Sequence, residues 1–85
     1  MSRKNRVARN SKNRQYLVQI GGNIRKARQQ MAYSQDEFAD LVGMSRSYIT
    51  EIETGKRNIS ILNLIGIMQG LNVDPNDIIG SIKPR

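Results

Sequence analysis

The chain has 85 residues, enough for one small domain, and 38% of them are hydrophobic. It contains no Cys and no His, which excludes disulfides, thiolate or imidazole metal sites, and the Ser-His and Cys-His nucleophile arrangements. No enzyme activity, cofactor or metal is therefore expected, and because a core this small supplies only about 3–5 kcal/mol, association with a second subunit is the staple that remains.

The net charge is +7 and unevenly placed. Arg3, Lys4, Arg6, Arg9, Lys12 and Arg14 put six bases into the first fourteen residues with no acid among them, and the rest of the chain carries eight bases against seven acids. Residues 1–15 are too polar to bury surface and are expected to form a disordered basic arm; residues 16–85 form the folded domain. A basic segment attracts polyanions at long range. No apolar run follows the first charges, and no stretch approaches the roughly 18 apolar residues of a membrane span. The expectation is a cytoplasmic protein with no membrane partner.

Helical periodicity begins with Ile20, Ile24, Ala27 and Met31, spaced to line one face. The pair Gly21-Gly22 weakens its start, so a helix is expected from about Ile20 to Met31. Ser34-Gln35-Asp36-Glu37 reads as a capping box, with the acids at the positive end of the helix dipole. Phe38, Leu41 and Val42 supply the apolar face of this short second helix, and Gly43 ends it. Ser45 caps a third helix from Arg46 to about Thr54, with Ile49 and Ile52 inward. Gly55 closes it, and Lys56-Arg57-Asn58 makes a basic loop. Ser60 caps a fourth helix carrying Leu62, Leu64, Ile65, Ile67, Met68 and Leu71. That is more apolar surface than one core face requires. Asp74-Pro75-Asn76-Asp77 starts a short fifth helix with Ile78, Ile79 and Ile82. The expected fold is all-α, with five helices and no strand.

The second and third helices, joined by a tight turn at Gly43, make a helix-turn-helix unit. In such a unit the second helix enters the DNA major groove, which is about 12 Å wide. With Ile49 and Ile52 inward, the polar side chains Ser47, Thr50, Glu51 and Thr54 point outward, with Arg46 beside them. The runs Ile24-Arg25-Lys26-Ala27-Arg28, Ser34 to Ala39, Val42 to Ile49 and Ile52 to Arg57 resemble the phage-repressor/Cro-like (XRE) family. The likeness spans about Val18 to Ile79. The Arg57-Asn58-Ile59-Ser60 segment and the short chain also resemble controller proteins of restriction-modification systems.

The resemblance implies roles. Gln35 would bind backbone phosphate. Arg46, Ser47, Thr50 and Glu51 would face bases, with Ser45 and Tyr48 near the sugar-phosphate edge, and Lys56, Arg57 and Asn58 would hold phosphates beside the groove. Arg28 and Glu53 match a structural salt bridge. Ala32 stands where relatives have Gly, and the basic segment before Gln15 departs from the family pattern. Asp36, Glu37 and Asp40 have two readings: a solvated face, or a contact with RNA polymerase. Glu51 also has two: an acceptor for cytosine N4, or a solvated acid that excludes wrong sequences.

The surplus aliphatics suggest a homodimer through Leu64, Ile67, Ile78, Ile79 and Ile82, binding a pseudo-palindromic double-stranded operator and regulating transcription. Two alternatives stand beside this. One is an antitoxin that binds a toxin and autoregulates its operon. The other is a nonspecific RNA or membrane-surface binder driven by the basic segment.

Overall fold

The computed structural model describes residues 3–82, with side chains over residues 13–82. Its order is α1 (Arg3–Gln30), α2 (Gln35–Val42), α3 (Arg46–Glu53), α4 (Ile61–Leu71) and α5 (Pro75–Ile79), and no strand occurs among the described residues.

Local chemistry sets most boundaries. The Ser34 hydroxyl accepts from the Glu37 backbone N–H at 3.0 Å, and Glu37 Oε1 accepts from the Ser34 N–H at 2.8 Å. This reciprocal pair satisfies two of the donors that a helix start leaves free. Ser45 and Ser60 cap α3 and α4 through the N–H groups of Tyr48 and Asn63, each at 3.1 Å. Gly43 ends α2 at φ 71°, the left-handed region where a Cβ is penalised.

Three local expectations change. First, α1 starts at Arg3 rather than near Ile20, so helical backbone runs through most of the segment read as an arm. Low apolar content argues against packing, but it does not argue against a helix. Arg, Lys, Gln, Ala and Leu are all good helix formers, and neither Gly nor Pro interrupts the chain before Gly21. The side chains of residues 1–12 lie outside the described ones. Second, Met31 falls one residue beyond α1 and is exposed, because the chain turns there through Ala32 at φ 61°. Ala32 is the position where the family has Gly, and a Cβ in this conformation costs about 1 kcal/mol. Third, on α2 the buried residues are Phe38 and Ala39, while Leu41 is exposed and Val42 half-buried.

All five helices contribute to one core: Ile24 and Ala27 from α1, Phe38 and Ala39 from α2, Ile49 and Ile52 from α3, Leu64, Ile67, Met68 and Leu71 from α4, and Ile78 from α5. α1 is the spine, packing against α3, α4 and α5, while α2 bridges α3 and α4.

The crossing of α1 over α3 uses two glycines. A Cβ on Gly21 would lie 2.1 Å from the Ile52 carbonyl oxygen, and one on Gly55 would lie 2.6–2.9 Å from Val18. Bare backbone at both positions lets the helices touch. Gly55 also takes φ 74°, which turns the chain out of α3 into the basic loop. Among the described residues no helix is long and apolar enough to cross a membrane.

Candidate nucleic-acid interface

The caps and the crossing together fix the pose of α3. Its inner face is locked by Ile49 and Ile52, both fully buried or nearly so. Its C-terminal end is held from below by a buried charge pair. Arg28 Nε donates to Glu53 Oε2 at 2.6 Å and Arg28 Nη2 to Glu53 Oε1 at 3.1 Å, a bidentate fork. The Arg28 and Glu53 side chains are only 8% and 1% exposed. Arg28 Nη1 donates to the Tyr33 carbonyl at 2.7 Å, and Gln35 Nε2 donates to Glu53 Oε1 at 3.1 Å. No buried side-chain nitrogen or oxygen among the described residues lacks a partner, so desolvation of this pair is offset by hydrogen bonds on every side.

Gln35 is more than a free N-terminal side chain on α2. Its amide donates to Glu53, and its carbonyl oxygen accepts from Thr50 Oγ1 at 3.0 Å. Both ends of the Gln35 amide therefore tie α2 to α3. Thr50, read as facing bases, is bound through its hydroxyl to this amide while its residue stays exposed.

Arg46, Ser47, Thr50 and Glu51 together line one shallow depression on the outer side of α3. The first three are exposed and Glu51 is half-buried. Ser45 lies at the N-terminal edge of the helix, where its hydroxyl is occupied by the Tyr48 N–H. The Arg46 guanidinium lies 3.7 Å from Asp36 Oδ1, with both side chains more than half exposed. On the other flank Arg57 donates to Glu51 Oε1 from Nε at 3.0 Å and from Nη2 at 2.7 Å. Arg57 also stacks over the Tyr48 ring at 5.3 Å. Tyr48 is half-buried against the core, and its hydroxyl accepts from Asn63 Nδ2 at 2.8 Å. Lys56 and Asn58 are exposed beside Arg57. Asn63 escaped the sequence reading: it sits fifteen residues from Tyr48, and no local pattern links the two.

Charge on this side is thus mixed in the isolated chain. Both arginines nearest the depression rest against carboxylates that remain open to water, and such pairs contribute only about 0–1 kcal/mol. Asp40 and Glu37 are also exposed on α2. The Ser34 backbone N–H, with its hydroxyl in support, holds the Glu37 carboxyl below its ordinary value of 4.5. Among the described residues no group of acids could hold a metal ion.

A helix-turn-helix family model matches residues 24–78, the whole stretch from the first core residue of α1 to the buried Ile78. The chain belongs to the XRE-type helix-turn-helix family. It is 33% identical over 67 residues to the control protein C.MunI of a Mycoplasma species, across 78% of this chain and 90% of that protein. The crystal structure of the restriction-modification controller protein C.AhdI from Aeromonas hydrophila superposes with a TM-score of 0.70 at 34% identity, covering 73% of this chain and 94% of that one. The antitoxin PezA of Streptococcus pneumoniae is 38% identical over 64 residues, 75% of this chain but only 40% of PezA. The family is one of DNA-binding transcription regulators and not of enzymes, so this chain is a helix-turn-helix DNA-binding regulator.

Leu64, Ile67 and Ile78 cannot form a partner surface as expected, because they are buried in the core of the subunit itself. α4 is apolar on two sides, and periodicity alone does not say which side faces inward. The outward aliphatics are Ile61, Leu62 and Ile65, the first two 67% and 76% exposed, with Ile79 on α5 also exposed and Ile82 half-buried.

Proposed function

We propose that the chain is a cytoplasmic, sequence-specific regulator that binds a pseudo-palindromic operator as a homodimer, with α3 in the major groove. One observation carries the reading: Arg46, Ser47, Thr50 and Glu51 share an open depression on a helix pinned from behind by the Arg28–Glu53 fork. Arg46 reads a base edge, and Ser47 and Thr50 contact bases as the smaller polar groups. Ser45, Lys56 and Asn58 hold phosphates at the two edges. The Arg57 contact supports the second reading of Glu51, a counter-ion in the free chain that penalises wrong sequences. Gln35 contributes mainly by tying α2 to α3, with its phosphate contact secondary. Tyr48 works from below as the platform for Arg57. Activation through RNA polymerase would use the exposed acids Asp36, Glu37 and Asp40. The likeness to the controller proteins supports a role in regulating a restriction-modification system. The likeness to PezA covers too little of that protein to favour a toxin partner.

Selection of duplexes from a random-sequence pool by the wild-type chain, then titration of Arg46→Ala on the selected duplex, tests the reading. Loss of a bidentate guanine contact removes about 1–3 kcal/mol and relaxes preference at one base position. An equal loss on every sequence would make Arg46 a phosphate contact instead.

The dimer rests on the outward aliphatics of α4 and α5. Exposed large aliphatics on α4 and α5 are candidates for an association surface, and two-fold pairing would set the recognition helices about 34 Å apart, one turn of DNA. Leu62→Asp, at an exposed position, shifts sedimentation from dimer to monomer, and its melting temperature loses the dependence on protein concentration that association gives the wild type. An unchanged association state removes this surface from the proposal.

A further inference from the structure

Val18 marks a close approach of α1 to the end of α3. A Cβ on Gly55 would press into Val18 Cα, N and Cγ2. N-terminal of it the α1 backbone continues from Leu17 back to Arg3. At 1.5 Å per residue this overhang is about 22 Å long. Where it passes the loop, Asn13, Arg14, Tyr16 and Leu17 line an open groove whose far wall is Asn58. Asn13, Arg14 and Asn58 are exposed, while Tyr16 and Leu17 are half-buried.

The chemistry of the overhang is one-sided. From Met1 to Gln35 the chain carries nine bases and no acid. On the helix-turn-helix unit two exposed arginines find carboxylates: Arg46 has Asp36 and Arg57 has Glu51. No such partner is available in sequence to Arg14 and the bases before it. Asn58, the far wall of the groove, follows Lys56 and Arg57 directly in the loop assigned to backbone phosphates.

From these observations we infer that the N-terminal overhang of α1 is a second DNA-contact element, in which Asn13, Arg14 and Asn58 seat a backbone phosphate of the duplex beside the one held by the Lys56–Asn58 loop. The inference rests on the reading of α3 and its loop as the DNA face. Arg14 supplies the charge, and Asn13 and Asn58 supply amide donors. The apolar parts of Tyr16 and Leu17 form the floor. The contact carries no base information, because it lies outside the depression on α3.

The test uses the full chain with Arg14→Gln, which keeps helix propensity, and a triple variant with R9Q, K12Q and R14Q. The probes are a duplex selected from a random pool by the wild type and a scrambled duplex of equal length, each titrated across a salt series. One lost phosphate contact lowers affinity roughly tenfold at 0.1 M salt and flattens the slope of log affinity against log salt by about 0.9. Arg14→Gln is expected to do this on both duplexes, leaving the ratio between them and the melting temperature unchanged, and the triple variant is expected to flatten the slope further. An unchanged slope with intact discrimination by the wild type overturns the overhang and leaves α3 standing. A wild type that does not discriminate at all overturns the reading of α3 itself. A variant that loses self-association instead of salt dependence makes the overhang a subunit contact and also overturns the inference.

Discussion

Two arginine–glutamate pairs flank α3, and they behave as different objects. Arg28–Glu53 lies beneath the helix with both side chains almost wholly buried, while Arg57–Glu51 lies at its outer edge with the side chains 52% and 42% exposed. The bond lengths are nearly the same, 2.6 and 2.7 Å, so geometry does not separate them. Solvent does. Beneath the helix neither charge can be rehydrated without opening the core, so the pair is a fixed joint between α1 and α3. At the edge water competes for both partners, so the pair holds together only weakly. The same residue types therefore build the scaffold on one side of a helix and weakly held contacts on the other.

The strongest way to break this comparison is Glu53→Ala. It leaves Arg28 buried beside an empty partner position, which costs about 3–5 kcal/mol, a large share of the stability of a domain this size. Calorimetry should show a deep fall in melting temperature or no folded protein at all. A variant that melts like the wild type yet binds DNA poorly would make Glu53 a recognition residue and the comparison false.

A smaller effect is expected at the exposed pair. Glu51→Gln removes a contact worth about 0–1 kcal/mol, so the melting temperature should barely move. Freed of its counter-ion, Arg57 should raise affinity for scrambled DNA, seen as a narrower gap between selected and scrambled duplexes. If preference collapses at a single base pair while scrambled DNA binds as before, Glu51 reads cytosine.

The smallest effect belongs to Glu37, a fully exposed carboxylate that sharpens the same gradient of burial. Its folded value is depressed by the Ser34 N–H, so its contribution to stability is present above the unfolded value near 4.5 and is lost as pH falls through the lower folded value. The melting-temperature difference between wild type and Glu37→Gln should accordingly shrink as the medium is acidified through that range. A difference independent of pH would mean that the cap works without the charge.

Sequence alone determined the elements whose causes are local. Ser34, Ser45 and Ser60 each precede a helix by one residue and bond to the N–H three positions on, so four consecutive residues suffice to place each start. The depression on α3 was legible for the same reason: Arg46, Ser47, Thr50 and Glu51 share a face by helical period, and fixing Ile49 inward turns that face out. Tertiary structure decided what depends on distant neighbours. Gly21 weakens a helix when read locally, yet it is required because Ile52 passes directly over it. Leu64 and Leu62 are alike in sequence, yet one is 6% exposed and the other 76%, because only the placement of α1 and α2 chooses which apolar side of α4 becomes core. The N-terminal reach of α1 beyond Ile20 has a related cause: burial and helix formation are separate free energies, and a polar, basic sequence with little apolar surface can still form a helix. Long-range choices of this kind require the packed chain, since the side chains that decide them lie fifteen to fifty-five residues away.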